Sequence, residues 1–323
     1  MKKVLVVLLG PTAVGKTELS LNLAGSWSCP IISADSRQVY KGIPIGTAAP
    51  TDAQLSAVRH YFVNMLDLDA YYSAAKYEED VLRVLDRHFL TSDRAILCGG
   101  SMMYIDAVCN GIDDIPTVRP EIREALRSRY EKEGLEPLKE ELSRLDPLYY
   151  SDMDTQNPKR VIHALEICLQ THRPYSSFRV RKRKQRPFEI VKIGLYRPRD
   201  VLFSRINRRV DQMMSEGLLD EARQVYPQRQ LNSLNTVGYK ELFEVFSGNW
   251  LLEMAVERIK KNTRVYAKKQ MTWFKQDPSV WWLNLDDDTL DTLTGKVNAI
   301  VAGVQQSATD SSAPSAGFRI SSW

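Results

Sequence analysis

The sequence predicts an α/β fold, a P-loop parallel sheet covered by helices, with an all-helical insertion domain. Three observations predict it. The run VLVVLLG at 4–10 has the length of a buried strand, enters the glycine-containing stretch GPTAVGKT at 10–17, and passes straight into the helical pattern TELSLNLAG. Further short apolar runs, PIISAD (30–35), RAILCGG (94–100) and FEIVKIGLYRP (188–198), alternate with helical stretches, the pattern of a parallel sheet covered on both faces. From about Thr117 to Pro187 the strands stop. There RPEIREALRSRYEKEG, with Pro120 in its first turn and Gly134 at its end, is followed by LEPLKEELSRLD and NPKRVIHALEICLQ, all helical.

The chain therefore divides into a first part of the core (1–116), the helical insertion (117–187), a second part of the core with long C-terminal helices (188–301) and a small, polar tail (302–323) expected to be disordered. Within the core, helices are expected around Ser73–Leu90, from about Arg199 to Ser215, and from roughly Trp250 to Lys275. In the last of these, Leu252, Val256, Ile259, Thr263, Tyr266, Gln270 and Trp273 form a mostly apolar stripe, while Glu257, Lys260, Lys261, Arg264 and Lys268 form a mostly basic face.

The 323 residues are 43% hydrophobic and 26% charged, ordinary for a soluble globular protein, and no apolar run reaches membrane-spanning length. VLVVLLG runs into a glycine loop without a small-residue cleavage site, so it is not read as a signal peptide, and a cytoplasmic location is expected. Cys29, Cys98, Cys109 and Cys168 form no C-x-x-C pair and no histidine stands near them at ligand spacing, so structural zinc is not expected. The net charge is only +4, but its distribution is uneven. No acid falls between Glu166 and Glu189, and HRPYSSFRVRKRKQRP (172–187) holds seven Arg or Lys, which suits either a solvated loop or a phosphate-backbone contact.

Gly10-Pro11-Thr12-Ala13-Val14-Gly15-Lys16-Thr17 matches the P-loop pattern, in its required place between strand and helix. Backbone N–H groups of such a loop converge on phosphate oxygens, Lys16 adds a charge and Thr17 can ligate Mg²⁺. A nucleotide hydrolase also needs a strand ending in Asp as a metal holder. AILC ends in Gly99 and Gly100, and WWLNLD near Asp286 follows the last long helix. PIISAD does end in an acid, and Asp35 suits either a metal-holding role in a small-molecule kinase or a general base that deprotonates an acceptor beside the phosphate site. The residues alone leave open a P-loop small-molecule or nucleotide kinase and a non-catalytic P-loop RNA-binding protein.

Six stretches then stand in order: GPTAVGKT, ISADSRQVYKGIPIGTAAP (32–50), LCGGSMMYIDAV (97–108), NPKRVIHALEI (157–167), NTVGYKE (235–241) and TRVYAKKQMTWF (263–274). Together they resemble the bacterial tRNA dimethylallyltransferases, also called tRNA isopentenyltransferases, over roughly Lys2 to Leu285. The resemblance implies that the P-loop grips the diphosphate of dimethylallyl diphosphate, with Mg²⁺, and that the acceptor is the exocyclic amine of the adenine 3′ to the anticodon. It implies that Asp35 is the base, that Lys16, Thr17 and Ser101 surround the diphosphate and its metal, and that Arg209 lies against the diphosphate. Tyr104 is expected as pocket wall. The implied tRNA contacts are Asp35, Ser36, Arg37, Gln38, Ser101 and Arg123, then Lys159, Arg160, Val161, Ile162 and His163, and Asn235, Thr236, Val237, Gly238, Tyr239 and Lys240. The insertion and the basic run Arg179–Arg186 would clamp the anticodon stem. A monomer is expected.

Overall fold

The computed structural model describes residues 2–180 and 183–306. In chain order these form β1 (Val4–Leu9), α1 (Lys16–Trp27), β2 (Ile31–Ala34), α2 (Pro44–Thr47), α3 (Asp52–Ala57), β3 (His60–Tyr61), α4 (Ala74–His88), β4 (Arg94–Gly99) and α5 (Met102–Asn110). Next come α6 (Pro120–Glu133), α7 (Glu136–Leu145), α8 (Pro147–Asp152) and α9 (Pro158–Thr171). The chain then runs through β5 (Glu189–Tyr196), α10 (Arg199–Ser215), α11 (Leu218–Val225), α12 (Tyr239–Phe246), α13 (Leu252–Phe274), β6 (Val280–Asn284) and α14 (Leu290–Gln306).

The strands form one six-stranded sheet in the order β3-β2-β4-β1-β5-β6, every pair parallel. β1 is central and fully buried, as its unbroken apolar run requires. Its residues alternate between two cores. Leu5, Val7 and Leu9 join the cluster that includes Tyr77, Tyr104, Tyr239 and Phe274, while Val4, Val6 and Leu8 join the one that includes Leu19, Leu202, Ile206 and Val297. The chain divides into two compact units, one from the described residues of Met1–Cys109 and Arg186–Trp323, the other Asn110–Gln185. The second unit is helical and has its own core, in which Leu126, Leu138, Leu142, Val161 and Leu165 are almost wholly buried.

Four features differ from the sequence reading. The first is the tail: residues 302–306 belong to α14, whose Val297 and Val301 are fully buried, and residues 307–323 lie outside the described residues. The second is the set of short elements α2, α3 and β3, together with β6, which the sequence reading weighed only as a metal-holding strand. Its pairing with β5 makes WWLN an edge strand.

The third is the stripe on α13. Ala255, Ile259, Ala267, Gln270, Met271 and Phe274 are buried, whereas Tyr266 and Trp273 are exposed. The basic face of α13 is tied to α10 by Lys260–Asp211 (2.8 Å) and Arg264–Asn207 (2.5 Å), and Lys268 lies over the Phe203 ring. Packing on two sides turned the helix away from the face that apolar spacing alone selected.

The fourth is the basic run. Arg186 is buried and donates to the carbonyl oxygens of Ala107 and Val108 and to Glu78 (2.8 Å each), so it caps α5 rather than facing a nucleic acid. Lys184 pairs with Asp114, and Arg179 lies over the Tyr149 ring; Arg181 and Lys182 fall outside the described residues.

Candidate active site

The strand register assembles the site. Leu9 lies beside Gly99, and Gly99 beside Ala34. The next residue of each strand, Gly10, Gly100 and Asp35, opens a loop at the same sheet edge. Neighbouring strands are ~4.8 Å apart, so Asp35 begins roughly 10 Å from Gly10. This is the edge at which open α/β sheets bind ligands.

The P-loop turns sharply out of β1. Gly10 has φ +152°, and a Cβ there would lie 2.6 Å from the Leu195 carbonyl oxygen. Three arginines hold the loop from outside. Arg197 Nε donates to the Val14 carbonyl (2.8 Å), Arg205 Nε to the Ala13 carbonyl (3.0 Å), and Arg209 contacts the Thr12 hydroxyl at 3.5 Å. Arg197 is itself held by Asp286, which accounts for that acid. Lys16 Nζ donates to the carbonyl oxygens of Gly10 (3.0 Å) and Pro11 (2.8 Å). Burial, with the Arg209 charge acting in the same sense, lowers its pKa to about 8 against the opposing pull of Cys98 and Asp35. Arg209 is also lowered by burial, opposed by Asp35. Both groups therefore feel the Asp35 carboxylate. Thr17 is exposed in the first turn of α1.

Asp35 sits in a turn whose geometry is heavily determined. Its Oδ1 accepts from the backbone N–H of Arg37 (2.9 Å) and of Gln38 (3.4 Å), as Asp side chains do in turns. The Ser36 N–H donates to Ser101 Oγ (2.8 Å), and the Ser101 hydroxyl donates to Ser36 Oγ (3.2 Å). Gln38 accepts from the Ser33 hydroxyl and donates to the carbonyls of Thr47 and Ala48. Arg37 donates to the carbonyls of Asn232 (2.8 Å) and Asn235 (3.4 Å). The stretch from Asn235 to Lys240 is thereby fastened to the turn that carries Asp35. Tyr104 is nearly buried and stacks on Tyr77 at 4.1 Å, and the Tyr77 hydroxyl donates to the Ser33 carbonyl, a wall position. The Tyr266 hydroxyl is pushed up to about 12, first by desolvation and then by Asp35.

The remaining expected RNA-facing residues separate into two groups. In the helical unit Lys159 and Arg160 are exposed, and Ile162 and His163 are half-buried. Arg123 and His163 share the buried Glu166, each at 3.3 Å. Asn235 and Lys240 are exposed, Thr236 and Val237 half-buried. Two side chains do not face outward. Val161 and Tyr239 are fully buried. The Tyr239 hydroxyl donates to Glu221 (2.5 Å), and Glu221 also accepts the N–H groups of Ile45 and Gly46 (2.8 Å each). A side-chain contact with RNA at Val161 or Tyr239 is therefore corrected to a core role.

Sequence reasoning missed Arg197, Arg205 and Gln270. Arg205 stands four residues before Arg209, so both lie on one face of α10, a visible signal. Gln270 was a polar residue inside an apolar stripe, which signals a buried partner. It has two: the Gln270 Oε1 accepts the Thr12 N–H (3.0 Å) and its Nε2 donates to the Gly100 carbonyl (2.8 Å).

A P-loop held by cations, facing a carboxylate two strands away on a parallel sheet, defines a group-transfer enzyme. The IPP transferase family model matches residues 38–277, and the chain belongs to this family. It is 62% identical over 283 residues to tRNA dimethylallyltransferase 2 of Parabacteroides distasonis, covering 88% of this chain and 95% of that one. It is 60% identical over 289 residues to tRNA dimethylallyltransferase 1 of Phocaeicola vulgatus, covering 90% and 96%. Among solved structures it is similar to the full-length tRNA isopentenylpyrophosphate transferase of Bacillus halodurans, with a TM-score of 0.68, 36% identity and coverage of 94% and 96%. It is also similar to a eukaryotic dimethylallyltransferase acting on tRNA, with a TM-score of 0.79, 25% identity and coverage of 93% and 80%. These relatives give the kinase reading no support.

Proposed function

We propose that the chain transfers the dimethylallyl group of dimethylallyl diphosphate to the exocyclic amine of the adenine 3′ to the anticodon in tRNA, releasing diphosphate. The observation that carries this reading is the placement of Asp35 one residue past β2, at the sheet edge where the P-loop leaves β1. The strand beside β1 on this side, β4, ends in Gly99 and offers no acid of the kind with which a nucleotide hydrolase holds its metal.

The diphosphate would be received by the backbone N–H groups at the start of α1, around Gly15, Lys16 and Thr17. Lys16 and Arg209 neutralise the charge that develops as the allylic C–O bond breaks. The adenine amine is a weak nucleophile because its lone pair is delocalised into the ring. Asp35 accepts its proton as the new N–C bond forms, so the base acts where the bond is made. Ser101 holds the turn that aims Asp35. Among the described residues no three His, Cys, Asp or Glu side chains cluster as a metal site. The exposed Thr17 is the residue here whose hydroxyl would help hold an Mg²⁺. Such an ion adds positive charge against the leaving diphosphate.

On the RNA side, the target base must leave its stack to reach Asp35, and a pocket wall such as Tyr104 offsets part of that cost. Asp35 to Gln38 and Asn235 to Lys240 border the flipped base, with the exceptions given above, and Arg123, Lys159, Arg160 and His163 present cationic or hydrogen-bonding groups to the stem. No helix among the described residues is long and apolar enough to cross a membrane. We propose that the chain acts as a monomer.

The test incubates the protein with Mg²⁺ and an unmodified anticodon stem-loop, adding labelled dimethylallyl diphosphate in one arm and ATP in the other. Label on the RNA in the first arm is the expected result. ATP consumption without transfer overturns the reading and returns Asp35 to metal holding.

A further inference from the structure

Gln270 lies on the buried face of α13 at 2% exposure, and the reaction just described makes no use of it. Both ends of its amide are satisfied, and each end holds a different half of the site. Its Oε1 accepts the N–H of Thr12, inside the loop that grips the diphosphate. Its Nε2 donates to the carbonyl of Gly100, whose neighbour Ser101 bonds the N–H of Ser36, next to Asp35. A Cβ at Gly100 would lie 2.3 Å from Nε2, so the approach depends on glycine at that position.

We propose that Gln270 is a positioning residue that fixes the spacing between the diphosphate loop and the turn carrying the base. The inference rests on the transferase reading and deepens it. Three hydrogen bonds and the intervening covalent bonds make one path from Thr12 through Gln270, Gly100, Ser101 and Ser36 to Asp35. Leaving-group stabilisation sits at one end and proton removal at the other. A dislocation of about 1 Å between such groups can cost on the order of 100-fold in rate. An apolar side chain of similar size would fill the slot but leave the Thr12 N–H and the Gly100 carbonyl buried without partners. Each would then shift toward water, and the two loops would move independently.

The experiment compares wild type with Gln270→Leu and Gln270→Glu. The glutamate keeps an acceptor for Thr12 but loses the donor to Gly100. For both variants kcat for dimethylallyl transfer should fall by about 30- to 100-fold. KM for the allyl diphosphate and the dissociation constant of the anticodon stem-loop should stay within about threefold. Hydrogen exchange supplies a readout independent of transfer. In wild type, inorganic diphosphate with Mg²⁺ should slow exchange in both 10–17 and 97–105. In Gln270→Glu it should slow exchange in 10–17 alone. Two outcomes overturn the proposal: kcat kept within about twofold, or a loss of kcat matched by an equal loss of diphosphate binding. Equal protection of both segments in the glutamate variant does so as well. Should Gln270→Leu not fold, the glutamate variant and Gly100→Ala, whose added methyl displaces the amide from the other side, decide the matter. A wild type that transfers nothing refutes the transferase reading, while the exchange pattern still tests the strut.

Discussion

At the sheet edge, Asp35, Ser36, Gln38, Ser101 and Lys16 spend their hydrogen bonds on one another and on backbone groups. In the helical unit, Lys159 and Arg160 stand exposed at the start of α9, and Arg123 and His163 share a single buried carboxylate, Glu166. The two regions differ in what an error costs. In the proposed reaction, bond making and breaking depends on close placement, and the residues assigned to it are the ones fixed by neighbouring groups. Contact with a phosphate backbone depends on charge and tolerates movement, so solvated cations suffice. The comparison predicts large, all-or-none effects on rate at the sheet edge and small, graded effects on affinity in the helical unit.

The largest effect is expected from Asp35→Asn. The amide keeps an oxygen for the N–H groups of Arg37 and Gln38, so the turn survives while the base is lost. Transfer should fall by about 10²- to 10⁴-fold with stem-loop binding nearly unchanged. Single-turnover rates and a binding titration measure both. Unchanged turnover would remove Asp35 as the base and erase the contrast at its sharpest point.

Next in size is the charge of Lys16. Its pKa of about 8 means that the ammonium is intact below that pH and lost above it in the ligand-free protein. Affinity for inorganic diphosphate with Mg²⁺ should therefore carry an extra fall above pH 8, approaching tenfold per pH unit for one proton. Lys16→Met should bind more weakly and lack that extra fall. The stability sign is opposite. The folded pKa lies below the ordinary lysine value of 10.5, so the unfolded chain binds more protons between about 8 and 10.5. This group's cost to folding, fully present below 8, is relieved as pH rises through that window. Isothermal titration of diphosphate across pH 7 to 10 reads the first behaviour, and denaturant unfolding over the same range reads the second.

These residues also mark how far the sequence was legible. The P-loop, Asp35 and the strand–helix alternation were readable because each is written in local pattern: an apolar run, a glycine spacing, an acid at a strand's end. The register that sets Gly10, Gly100 and Asp35 side by side is not local, and neither are the partners of Gln270 or Arg186. The burial of Tyr239 was legible locally, since Leu242, Phe243 and Phe246 follow it at helical spacing on one face of α12. Its hydroxyl partner, the distant Glu221, was not. Residues 302–306 were assigned to the tail because AGVQQ, after Val301, carries no periodic signal strong enough to mark it as helix.

Tyr239 offers a third way to sharpen the comparison. Tyr239→Phe removes a buried hydroxyl from a carboxylate that still holds the N–H groups of Ile45 and Gly46. A hydrogen bond to a charged group contributes about 1.5–3 kcal/mol, so Tm should drop by several degrees. Salt dependence of tRNA binding should not change, because the side chain is wholly buried. A changed salt slope at constant Tm would restore Tyr239 as an RNA contact.

The smallest effect is expected where the molecule is most exposed. Lys159→Gln or Arg160→Gln removes one cation from the first turn of α9 without touching a buried group. Each should weaken stem-loop binding a few-fold. Each should also reduce the slope of log affinity against log salt by about 0.7 to 0.9, the share of one phosphate contact. The kcat at saturating RNA should be unchanged, because nothing on the sheet edge has moved. Glu166→Gln adds a control inside the same unit. It leaves Arg123 and His163 in place but removes the charge that orients them, so it should alter affinity by less than Arg123→Gln does. If one of these variants instead lowered kcat as strongly as Asp35→Asn, the division of labour drawn between the two regions would fail. The helical unit would then have to take part in the chemical step rather than only in holding the RNA.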